Sequence, residues 1–278
     1  MIAMPRSLRL WGVVGALLAA VFAVWMLLFP QFIPTAFAWN AQPRAAQAFI
    51  GAGYLFRTYF FLLFVFVPDW RLLRWTYYGN LLFTGTLLLA TLWHAPEMHW
   101  LTVTGHIWIV FYTMEPVIMH FTIPRAGDRP AEPVTSGGPI SDLFRWFLIL
   151  EVGAAMVFGL ALVINPEWLN TRWPWELNPF DARIIAAWWL GTAGWVGSMV
   201  RAQDWDEVRL GAIGNLILTA ALTVASVVFL PYFNHAHPTV RPYIIGMAVL
   251  SLGLAFFIWQ HERRRPARVV TDLVKLRA

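Results

Sequence analysis

The 278-residue chain is 59% apolar and 13% charged, whereas an ordinary soluble domain is about half apolar and a quarter charged. That balance excludes a water-soluble globular protein and points to the lipid bilayer as the chain's surroundings. Cysteine is absent, which removes disulfides, thiolate metal sites and thiol catalysis. The formal net charge of +5 is gathered in a few loops, where it reads as topology and not as nucleic-acid binding.

In chain order, apolar runs bounded by charges, Pro and Gly predict eight transmembrane helices near 10–30, 47–67, 75–93, 105–123, 146–165, 184–200, 210–230 and 242–260. Each is close to the roughly 20 residues that cross a hydrocarbon core about 30 Å thick. The first run follows Arg6 and Arg9 and precedes Ala36-Phe37-Ala38, the outline of a secretory signal. Its apolar stretch from Trp11 to Phe29 exceeds the about 7–15 residues of a signal core, so it is read as a span. With a cytoplasmic N-terminus, 15 Lys and Arg fall in inner segments and four (Arg44, Arg172, Arg183, Arg241) in outer ones. This positive-inside asymmetry places both termini in the cytoplasm of a bacterial-type inner membrane. Most of the 17 tryptophans, Trp39, Trp70, Trp93, Trp146 and Trp205 among them, fall near span ends, as an aromatic belt at headgroup level requires.

The sequence also resembles itself. A shift of 136 residues aligns Arg9 with Arg145, Pro30 with Pro166 and Trp39 with Trp175. A shift of 135 aligns Asp69-Trp70 with Asp204-Trp205, Arg74 with Arg209, Gly79-Asn80 with Gly214-Asn215 and Pro96 with Pro231. Each copy holds four spans, an even number, so both insert with the same orientation and form parallel repeats about an axis along the membrane normal. The expected organisation is a first four-helix repeat over 1–123, a cytoplasmic linker rich in Pro, Gly and Ser over 124–144, a second repeat over 145–260 and a basic tail over 261–278. In that tail Arg263, Arg264 and Arg265 suit anionic lipid, at about 1 kcal/mol per basic residue near the surface. Val269 to Leu276 have the spacing of a short amphipathic helix on the inner surface.

Ionisable groups inside spans are costly and mark function by default. Arg57 and Glu115 each lie about ten residues, hence about 15 Å, below the outer ends of spans two and four. Their counterparts in the second copy are Thr192 or Ala193 and Leu250, so both charges are lost together and an ion pair in the first copy is expected. Pro116 should free the Tyr112 carbonyl beside it. His120 and Glu151 fall in the cytoplasmic third with Asn80 and Asn215, a set that suits an inner cavity or a proton path. The competing explanation is that these groups fix helix packing through hydrogen bonds.

Five histidines, His94, His99, His106, His235 and His237, gather in two equivalent outer loops with Glu97 and Met98 between them. Imidazole with a carboxylate suits zinc or copper. Against a metal, no helix carries His-x-x-x-His and the five do not align between the copies. His106 and His120 are spaced for two stacked haems, but the equivalent positions in span eight are Arg241 and Ala255, which argues against bis-histidine ligation. Trp25, Trp188, Trp189 and Trp195 lie inside spans and suit a quinone, pigment or lipid-like ligand, or simple helix packing. The chain carries no Walker loop, HExxH or GxSxG, and hence no catalytic motif and no defined cofactor. The expected fold is therefore an all-α integral membrane protein of eight transmembrane helices in two parallel repeats. The expected function is a small-molecule or ion transporter, proton-coupled, with a redox or cofactor-binding subunit (quinone, haem or pigment) and a structural or assembly subunit as alternatives.

Overall fold

In a computed structural model the chain is described over residues 3–122 and 137–265, and these residues are all-helical. The expected amphipathic helix at 269–276 and most of the 124–144 linker lie outside the described residues. The elements are α1 (Arg6–Leu28), a short α2 (Ile33–Ala36), α3 (Arg44–Phe66), α4 (Thr76–Trp93), α5 (Val103–Thr122), α6 (Asp142–Ile164), a short α7 (Pro166–Asn170), α8 (Pro179–Val200), α9 (Trp205–Val228) and α10 (Val240–Arg264). Of these, α1, α3, α6, α9 and α10 are long and apolar enough to cross a membrane. Their outward residues, such as Leu17, Leu150, Val157 and Leu252, are exposed apolar side chains, which suits a perimeter solvated by lipid.

The ends of the helices follow from local chemistry. Asn178 and Asp204 accept hydrogen bonds from the first-turn amides of Asp181 and Asp206, and the Ser141 hydroxyl accepts from Phe144, each satisfying a donor that the helix leaves free. Gly138 turns the chain with a φ of 86°, a conformation that a Cβ would strain. The amides of Gly137 and Gly138 then reach the Asp204 carboxylate.

Local contacts recur at the two sequence spacings. The isolated bridge between Ala3 and Asp69 has a counterpart between Pro139 and Asp204. Met4 N–H donates to Pro68 and Ile140 N–H to Gln203; His99 N–H donates to Ala38 and Asn234 N–H to Pro174. α1 and α6 begin 136 residues apart, α3 and α8 135 residues apart, which makes Thr192 the counterpart of Arg57.

Four helices form the centre. α1 packs on α3 and α6 on α8, but α3 then packs on α9 and α4 on α8, so the two halves exchange partners across the middle. α4 and α8 cross where Gly79 faces Gly194: a Cβ on Gly194 would come within 2.5 Å of the Gly79 Cα, and one on Gly79 would strike Trp195. Such small-residue crossings let backbones approach where no aqueous hydrophobic effect draws helices together. α5 and α10 flank the centre against α4 and α9.

Candidate functional site

The two halves hold related sites of opposite character. In the first, α3 carries Arg57 into the interior, 1% exposed, where its guanidinium forms an ion pair with the fully buried Glu115 of α5. The guanidinium donates to Asn80 Oδ1 of α4 at 2.6 Å. It also lies over the rings of Phe60, Phe61 and Phe83, 4.4, 4.3 and 4.9 Å from their centroids. Carboxylate, amide and aromatic faces together compensate a charge that lipid would not tolerate. The expected pairing of Arg57 with Glu115 is present, and α5 continues through Pro116 beside it.

Around this pair the first half is filled. Trp11 of α1 stacks on Phe111 of α5 at 4.6 Å, Phe61 meets Phe111 at 5.7 Å, and the Tyr54 and Tyr112 hydroxyls are 3.1 Å apart. The space left among Gly15, Arg57, Phe61 and Tyr112 is about 10 Å³, too little for more than one water.

In the second half several of these positions carry smaller side chains, while Tyr54 becomes Trp189 and Gly15 becomes Glu151. By the same offsets, Arg57 becomes Thr192, Phe61 becomes Val196, Phe111 becomes Gly246, Tyr112 becomes Met247 and Leu18 becomes Ala154. A cavity of about 330 Å³ opens there among α6, α8, α9 and α10, within the range of small-molecule sites. Trp188, Trp189, Phe147 and Leu222 supply apolar walls. Leu150 and Val249 stand at its edge and are exposed on the perimeter. Phe147 of its lining packs on Phe257 of α10, with ring centroids 5.3 Å apart.

One acid enters this cavity. Glu151 of α6 stands where the first half has Gly15, is 7% exposed, and accepts from Asn215 Nδ2 at 2.8 and 2.9 Å. Asn80 and Asn215 thus occupy equivalent places and serve different partners, Arg57 in one half and Glu151 in the other. His120 is not brought to either site: it is exposed on α5 and its Nδ1 meets the Tyr77 hydroxyl at 3.2 Å.

The five loop histidines, His94, His99, His106, His235 and His237, are dispersed. His94 lies between Glu97 at 2.6 Å and Arg183 at 2.7 Å, His99 meets the Phe37 carbonyl, His106 the Thr102 carbonyl, and His237 the Thr171 carbonyl. His235 is exposed. No group of three or more His, Asp or Glu fit to hold a metal occurs among the described residues. In the tail, Arg265 pairs with Asp206 at 2.6 Å, Arg263 lies over the Trp259 ring, and Arg264 is exposed.

Sequence reasoning missed Asp181. Fully buried at the start of α8, it accepts from Trp39 Nε1, the Gln42 amide and Asn178 Nδ2 at 2.8, 2.9 and 2.6 Å. It thereby ties the segment between α2 and α3 to the start of α8. An acid in the first turn of a helix carries no sequence signal of such a tie; only the partners 139 and 142 residues away reveal it.

Comparison of the chain with protein-family models, curated proteins and solved structures finds no match.

Proposed function

We propose that the chain is an inner-membrane transporter of eight spans in two parallel four-helix repeats, that both termini are cytoplasmic, and that the second repeat carries the substrate. The observation that carries this reading is the cavity of about 330 Å³ that meets Glu151 and opens at the apolar perimeter. A cavity walled by aromatic and aliphatic groups, with one buried acid, suits an amphipathic small molecule that reaches it through lipid. Glu151 then binds substrate and proton in turn, which couples the two. The matched helix limits and bridges support the repeats, and the exchanged central packing supports a two-fold relation between them. Arg57, Glu115 and Asn80 form the fixed counterpart, a packed half against which the second half works.

The test is proton movement in proteoliposomes that enclose a pH-sensitive dye, with organic cations, anions and neutral amphiphiles added in turn. Wild-type protein should give a substrate-dependent proton flux with at least one class. Glu151→Gln should abolish that flux, and so should Ala154→Trp, which fills the mouth of the cavity. A wild-type flux no different from that of Ala154→Trp across all three classes overturns transport.

A further inference from the structure

Resting on the reading of this cavity as a substrate site, we infer that its ligand is a hydrophobic organic cation: an ammonium or guanidinium group on a small apolar body. The inference comes from comparing the halves. In the first, one space holds a carboxylate, an asparagine, aromatic faces and a cation, and the cation is the chain's own Arg57. In the second, the equivalent space holds a carboxylate, the equivalent asparagine and aromatic faces, but the arginine position is Thr192. Among the described residues, the salt bridges of this chain leave Glu151 without a cationic partner.

The missing charge and the missing volume coincide. Thr192 and Met247, where the first half has Arg57 and Tyr112, line the room, and Glu151 supplies an anion beside it. A ligand bringing its own cation would restore the arrangement that the first half builds internally. A buried carboxylate is strongly favoured by a paired cation and penalised without one, and indole faces, here Trp188 and Trp189, add cation–π attraction. A neutral ligand would use the same walls and leave Glu151 without a charge partner. An anionic ligand would be repelled. Entry from the bilayer past Leu150 and Val249 requires an apolar body on the cation.

Benzylguanidinium and benzylurea are close in shape and differ in charge, so they separate the cation from the apolar fit. Binding of each to the purified full chain in maltoside is measured by calorimetry. Benzylguanidinium should bind more tightly to the wild type by about tenfold or more, equal to about 1.4 kcal/mol. Glu151→Gln, which keeps an acceptor for Asn215, should bring the two ligands to equal affinity, and a circular dichroism melt checks that this variant is folded. Equal affinity of the two ligands for wild type overturns the cation and leaves the cavity standing as a site for neutral molecules. Binding of neither ligand overturns the cation proposal; the cavity itself falls only if Ala154→Trp also leaves the proteoliposome flux unchanged. The wild-type comparison alone decides the charge preference, whatever the variant's stability.

Discussion

At Arg57, three kinds of compensation converge on one guanidinium: the Glu115 charge, the Asn80 oxygen and three ring faces. Removing one member of such a buried pair strands the other, at a cost of about 3–5 kcal/mol. Glu115→Gln should therefore lower the thermal midpoint of the purified protein sharply. The double change of Arg57→Thr with Glu115→Leu, which copies Thr192 and Leu250, should recover much of that loss because neither charge remains. A double variant no more stable than Glu115→Gln would mean that the surrounding rings cannot close over the vacated space. The pairing itself was legible in the sequence, since Arg57 and Glu115 sit similarly far along two apolar runs and the residues 135 positions on, Thr192 and Leu250, are uncharged. The cavity was not. Among its lining, Ala154, Thr192 and Met247 stand on α6, α8 and α10, each ordinary alone, and they meet only when the helices are assembled. His120 misled for the converse reason: a position along a helix does not reveal which way its face turns, and His120 is exposed.

Among the helices, the crossing of α4 and α8 sets the tightest tolerance, because backbone meets backbone at Gly79 and Gly194. Gly79→Leu would need several ångströms of extra separation where Trp195 already fills the side, so it should destabilise by more than the about 1–3 kcal/mol typical of overpacking in a core. The readout is the fraction of monodisperse protein after heating in detergent; a variant as heat-resistant as wild type would contradict the close crossing. Gly85, which has open space around it, is the matched control and should accept Ala without loss. Each of the eight expected runs falls on a long helix of the described residues, with ends within five residues, and five of these helices are long and apolar enough to cross a membrane, because apolar length and polar punctuation are local properties. Which helix touches which was not local and could not be read. The exchange of α8 and α9 between halves depends on Gly79, Gly194 and Gly214 finding partners in the other copy, and a glycine gives no sign in the sequence of what approaches it.

For the whole molecule, topology is the property with the sharpest test. Reporter fusions at residue 130 and at the C-terminus should both read cytoplasmic, and a fusion within the loop near His235 should read the outer side. An outer signal from either of the first two would invert or break the eight-span arrangement. The exchanged packing also bears on how the chain is made. When α4 has left the ribosome, the faces that will receive α8 and α9 are still bare, including Gly79 on α4 and Phe56 and Tyr59 on α3. The partners end at Val228, more than a hundred residues later, which at about 5–20 residues per second is a delay on the order of ten seconds. During that interval the growing bundle has no folded half to shelter in. The Arg57 and Glu115 pair lies wholly within α3 and α5, so it can form before α8 and α9 are made and hold the first helices together through that interval.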